Sequence, residues 1–202
     1  MEKHFEFFFL IKHNTYFPDK LIFSLLNDMK ILASLFLGLF LFAFAAGDLC
    51  AQKREVTIIL LRHAEKDLSD ELNDPDPELS AAGRERAERL VKIIRKHKPQ
   101  AIYSSNFKRT RATVTPLAEQ INPRYRTMIQ IYDQRKLNEL VYRMLASGIK
   151  SIVVAGHNST TPALANLLIK QNKYKSLAET EYDKIWIIKI KKGKTKDEVI
   201  IY

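Results

Sequence analysis

Two stretches constrain this chain more than any others. Val56-Thr57-Ile58-Ile59-Leu60-Leu61 runs directly into Arg62-His63, and Ser151-Ile152-Val153-Val154-Ala155-Gly156 runs directly into His157. Both are short, apolar and rich in β-branched residues, without the polar alternation of a strand that has one wet face. Such runs are buried on both faces, which in a globular domain means a parallel sheet covered by helices. In open sheets of that kind, ligands bind outside the carboxyl ends of the strands, and Arg62, His63 and His157 fall there. A single histidine is more often structural than functional. Two at equivalent strand exits, one of them preceded by arginine, point to a site.

The remaining elements alternate. A polar, turn-rich loop follows the first strand through Asp74-Pro75-Asp76-Pro77. Ser80 then caps a helix whose Ala87, Leu90, Val91 and Ile94 recur at helical spacing. His97, at the basic end of that helix, suits the negative end of its dipole and needs no functional role. A short strand over 99–104 delivers Ser104-Ser105 into a helix carrying Arg109 and Arg111. The free N–H groups at that helix start would make an anion cradle, and Pro116 would be tolerated near its first turns. A third strand over 127–132 ends at Asp133. An amphipathic helix over 137–145 is closed by Gly148, and another helix spans 162–169. The runs 185–190 and 199–202 read as a closing hairpin at one sheet edge. Strands alternating with helices imply βαβ units and a three-layer α/β/α sandwich around a mostly parallel sheet.

The N-terminal region reads differently. From Met29-Lys30 the chain has no charge over 31–46, and small residues then surround Ala51, the pattern of a secretory signal peptide. Sixteen apolar residues are few for a membrane-spanning helix, and an uncleaved membrane anchor is the alternative. The expected organisation is therefore an upstream extension over 1–28 outside the fold, a signal peptide over 29–51 and one domain over 52–202, exported to the periplasm or beyond. Cys50, the only cysteine, lies in the signal segment, so the domain would have neither disulfides nor Cys-based metal sites. That domain carries 29 basic against 18 acidic residues, a net charge of +11. Such a balance favours anionic partners. The basic residues are dispersed over helices and the C-terminal tail without a nucleic-acid module, which favours a phosphorylated small molecule over DNA or RNA.

Four blocks now stand in order: Leu61-Arg62-His63-Ala64-Glu65-Lys66, Leu79-Ser80-Ala81-Ala82-Gly83, Tyr103-Ser104-Ser105 with Arg109-Thr110 and Thr113, and Val154-Ala155-Gly156-His157. Together they resemble the histidine phosphatase superfamily, also called phosphoglycerate mutase-like, over essentially the whole domain. The resemblance implies a phosphomonoesterase of the histidine acid phosphatase type, with His63 as the nucleophile that accepts the phosphoryl group. It also implies that Arg62 and Arg109 bind the phosphoryl oxygens, that His157 completes the pocket with Asn158 beside it, and that no metal or cofactor is required. Those residue types suit the chemistry. Phosphoryl transfer depends on positioning and charge stabilisation, which arginine forks supply bidentately, and imidazole is a competent nucleophile near neutral pH.

The chain departs from the family pattern at three places. Ala64 stands where glycine is usual, and Asn106-Phe107 replaces the frequent Pro-Leu. Asn158 follows the second histidine where phytase-like members carry an aspartate, which disfavours phytase-like activity. The general acid is left open between Asp133, Glu65 and none. Asp133 has an Asx turn or a helix cap as its competing role, and Glu65 could simply pair with Lys66. A non-catalytic phosphate-binding module and a phosphoglycerate mutase-type transferase are the alternative functions.

Overall fold

The computed structural model describes residue 24 and residues 26–37, 55–69, 73–121 and 129–202. The chain divides into two compact units, Met1–Gln52 and Lys53–Tyr202. In the first, residues 26–37 are helical and exposed. Among the described residues, no helix is long and apolar enough to cross a membrane. The expected signal-peptide features at 38–51, with Cys50 and the cleavage point at Ala51, lie outside the described residues.

The second unit is built on one six-stranded sheet. Its strands are β1 (Glu55–Arg62), β2 (Ala101–Ser105), β3 (Ile129–Tyr132), β4 (Ser151–Gly156), β5 (Lys184–Lys191) and β6 (Lys194–Ile201). Their spatial order is β3-β2-β4-β1-β5-β6. The first four run parallel, while β5 and β6 form an antiparallel hairpin that joins the sheet through β1. The helices are α1 (Ala81–Ile94), α2 (Lys108–Ile121), α3 (Leu137–Ala146) and α4 (Thr160–Ile169).

Alternate residues of the central strands face opposite layers, which is why the strands read as continuous apolar runs. Ile58, Leu60, Ile152 and Val154 pack with Leu140, Met144, Leu164 and Leu168 of α3 and α4. Ile59, Leu61, Val153 and Ala155 pack with Leu90, Ile94, Val114 and Leu117 of α1 and α2. This is the three-layer α/β/α sandwich expected.

The boundaries differ in instructive ways. The hairpin begins its return at Lys194 rather than Val199, because Lys194 to Glu198 make a charged, exposed edge without an apolar signature. Pro116 sits in the interior of α2, well past the first turn. There Thr113 and Thr115 hydroxyls bond the carbonyls of Arg109 and Arg111, supporting the ladder around a residue that has no N–H. Ser80 caps α1, its hydroxyl accepting from the Gly83 N–H at 3.1 Å. Gly83 itself lies so close to the loop after β1 that a Cβ there would overlap the Glu65 carbonyl oxygen.

Candidate active site

Strand register brings the two histidines together. Arg62 of β1 is paired with Gly156 of β4, so the next residues, His63 and His157, leave neighbouring strand tips side by side. The His63 N–H continues the ladder to the Gly156 carbonyl at 2.9 Å. The ring centroids are 5.4 Å apart with the planes at 68°. Gly156 is needed at this corner, since a Cβ would press on the hydroxyls of Thr161, Thr160 and Tyr132 at 2.8 to 3.0 Å. Arg62, His63 and His157 are buried, as are Ser104 and Ser105 at the tip of β2.

Each ring is held by a specific bond. His63 Nδ1 lies 2.7 Å from the carbonyl of Ala64. A carbonyl only accepts, so Nδ1 carries the proton and Nε2 keeps its lone pair. His157 Nε2 is 2.8 Å from the Ser105 hydroxyl, which bonds the Thr110 hydroxyl at 2.9 Å. Phe107 packs edge-on against His157 at 4.9 Å. Burial, aided by Arg109 and Arg62, pushes the His63 pKa down to about 3 against a raising bond to Ala64. Burial, Arg109 and Arg62 likewise push the His157 pKa down to about 4. Both imidazoles are therefore neutral at pH 7.

The two arginines flank the rings, and each already holds part of the chain. Arg62 Nη1 donates to the carbonyls of Ala178 and Glu181 at 2.7 and 3.0 Å, and Nη2 to the Glu179 carboxylate at 2.9 Å. Its guanidinium also lies 4.1 Å over the Tyr182 ring, which in turn sits 5.9 Å from His63. Arg109 stacks on Phe107 and donates to Asp76 at 3.1 Å. In both arginines the Nε–H is buried and has no partner among the described residues. Two charged donors in one pocket are thus left for an acceptor.

Several expected site residues stand elsewhere or differently. The free N–H cradle at the start of α2 is instead capped, with Asp76 accepting from the Lys108 N–H through both oxygens at 3.0 Å. Arg111 turns to Asn106. Glu65 pairs not with Lys66 but with Arg86, in a bidentate bond of 2.6 to 2.9 Å. Burial would raise the Glu65 pKa, but the Arg86 bonds outweigh it and hold the carboxyl ionised. Asp133 makes the Asx turn, accepting from the Arg135 N–H and side chain at 3.0 Å, and these bonds draw its pKa down to about 2. It lines a hollow of about 470 Å³ with Phe107, Ile131 and Arg135, next to the histidine pair but without either ring in its wall. Asn158 does reach the site, donating to Glu179 at 2.7 Å. Among the described residues, no group of three or more His, Cys, Asp or Glu side chains could hold a metal ion.

A family model described as the histidine phosphatase superfamily, branch 1, matches residues 58–144, spanning Arg62, His63 and Arg109. The domain is similar to the histidine phosphatase superfamily over those residues. Solved structures of the same fold include a mycobacterial hydrolase at 15% identity and a TM-score of 0.59, covering 74% of this chain and 99% of that one. A mycobacterial glucosyl-3-phosphoglycerate phosphatase matches at 14% identity and TM-score 0.56, again over 74% and 99%. A protein histidine phosphatase SixA complexed with tungstate matches at 13% identity and TM-score 0.57, over 72% and 97%. No curated protein sequence matches significantly.

The candidate site also includes residues that the motifs do not announce. Glu179 and Tyr182 come from the segment joining α4 to β5, more than 110 positions from Arg62. That segment is pinned by Leu177 N–H to the Asn158 carbonyl and by Tyr202 N–H to the Asp183 carbonyl, at 2.9 and 3.0 Å. Polar residues without periodicity gave no signal for it. Asp76 lay in plain view in a Pro-Asp-Pro loop, and only its contact with Arg109 shows what it does.

Proposed function

We propose that the protein is a phosphomonoester hydrolase that works through a phosphohistidine on His63, without a metal ion. The observation that carries this reading is a buried, neutral imidazole with a free Nε2 lone pair, set beside two arginines whose Nε–H donors have no partner. The Nδ1 bond to Ala64 orients the ring, so that little reorganisation precedes attack. Nε2 attacks phosphorus as the ester oxygen leaves in line, Arg62 and Arg109 neutralise the equatorial oxygens, and water then hydrolyses the phosphorus–nitrogen bond. His157, locked by Ser105, completes the pocket, and Asn158 lies at its rim. The net positive charge of the domain draws in a phosphorylated small molecule. Export of the domain after cleavage of the 29–51 segment belongs to the same proposal, and the mass of the protein recovered outside the cytoplasm tests it.

Incubation with an aryl phosphate, with and without chelator, tests the catalytic reading against His63→Ala. Chelator-resistant turnover that vanishes in the variant is expected. Turnover abolished by chelator, or unchanged by the substitution, overturns the proposal. A binding module would hold vanadate and release no product.

A further inference from the structure

Resting on that phosphatase reading, we propose that Glu179 is the acid that protonates the leaving group, supplied by the segment between α4 and β5. Its two carboxylate oxygens occupy donors at the phosphate site. One accepts from Arg62 Nη2 at 2.9 Å and the other from Asn158 Nδ2 at 2.7 Å. The other two carboxyl candidates are turned away from Arg62 and Asn158, Glu65 to Arg86 and Asp133 to Arg135. Asp76 is committed to capping α2 and to Arg109.

Position separates the floor of this site from its rim. Arg62 and His63 are 2% and 4% exposed, whereas the Glu179 side chain is 72% exposed. An in-line displacement with His63 Nε2 attacking from the floor sends the ester oxygen outward. Glu179, bonded to Arg62 and Asn158 and largely exposed, is placed at that outer side. A phosphoryl group arriving on Arg62 and Asn158 displaces the Glu179 carboxyl from those donors and sets it beside the phosphoryl oxygens, where it can take up a proton for the leaving group.

A phosphomonoester entering as the monoanion supplies that proton. The nitrogen–phosphorus bond forms as the phosphorus–oxygen bond breaks, and the electron pair leaves on the ester oxygen. Glu179 gives its proton to that oxygen, releasing a neutral alcohol. In the second half, Glu179 takes a proton from the attacking water, and the nitrogen–phosphorus pair returns to His63 Nε2.

The test measures kcat/KM for a series of aryl phosphates from nitrophenyl to phenyl in the wild-type protein, Glu179→Gln and Glu179→Asp, with melting temperature as the fold check. For Glu179→Gln the expected loss is small with nitrophenyl phosphate, whose phenolate leaves unaided. It should grow to about 10²-fold or more with phenyl phosphate, and Glu179→Asp should recover part of it. A rise in kcat/KM across the series would make Glu179 a mere competitor for Arg62 and overturn the proposal, as would an equal loss for every ester or no change. Wild-type protein that turns over none of the esters sinks the phosphatase reading itself, a result distinct from a flat leaving-group response.

Discussion

The floor and the rim of this site are built by different means. At the floor, Arg62, His63, Ser105 and His157 are all buried at the tips of three adjacent parallel strands, and backbone register sets their relative positions. At the rim, Glu179, Asn158 and Tyr182 come from loops and are held by side-chain bonds to the floor, above all through Arg62. Arg62 is thus both a candidate phosphate ligand and the post that anchors the segment over the site. Precision resides where the sheet supplies it, while the rim is left to loop segments.

The comparison breaks most visibly if the floor proves dispensable. His63→Ala should lower kcat by about 10³-fold or more, read in steady-state turnover of an aryl phosphate. Arg109→Lys and Arg62→Lys should each cost about 10²-fold in kcat/KM, because an ammonium cannot reproduce the fork. Only Arg62→Lys should also raise hydrogen exchange at residues 178–181, since it is the Arg62 guanidinium, not that of Arg109, that ties those carbonyls to the floor. Equal exchange in the two variants would separate Arg62 from the rim.

Burial of the floor also predicts acid sensitivity. Both histidines have folded pKa values, about 3 and about 4, below the ordinary value. The unfolded chain therefore binds more protons as pH falls below about 6.5. The stability these rings contribute is full above about 6.5 and is lost as pH falls toward the folded values, at about 1.4 kcal/mol for each unit of separation. Urea denaturation between pH 7 and pH 4 should show the decline, and His63→Asn should flatten it; an unaltered slope would mean that the ring is charged in the fold.

Gly83→Ala should destabilise by about 1–3 kcal/mol, since its Cβ meets backbone rather than a flexible side chain, and a thermal melt reads the change. The smallest effect belongs to Asp133→Asn. A carboxylate already ionised and paired with an exposed Arg135 should leave kcat within about threefold. A hundredfold loss would return the acid to the β3 end of the site and sink the assignment to Glu179.

Much of the floor was legible as sequence because its cause is local. Ile58 to Leu61 and Ile152 to Ala155 are apolar at every position, so they must be covered on both faces, and the residue after each emerges at the sheet's open edge. Ser80 announced α1 by the same short-range logic. The edge strand β6 was largely missed, since Lys194-Thr195-Lys196-Asp197-Glu198 has no apolar face to declare it. Carboxylate partners were not legible for a related reason. Glu65 met Arg86 across 21 positions and Asp76 met Arg109 across 33, so sequence proximity to Lys66 was no guide.

The sequence by itself determined the layered α/β architecture and which rings and guanidinium groups would stand at strand and helix ends, because burial periodicity and capping act over a few residues. Only the tertiary structure decided that Arg62 and Gly156 share a register, that Arg62 holds the 178–182 segment, and that Glu179 rather than Asp133 touches Arg62. Those contacts join parts of the chain more than 90 residues apart, and no local pattern encodes which distant loop a buried charge will recruit.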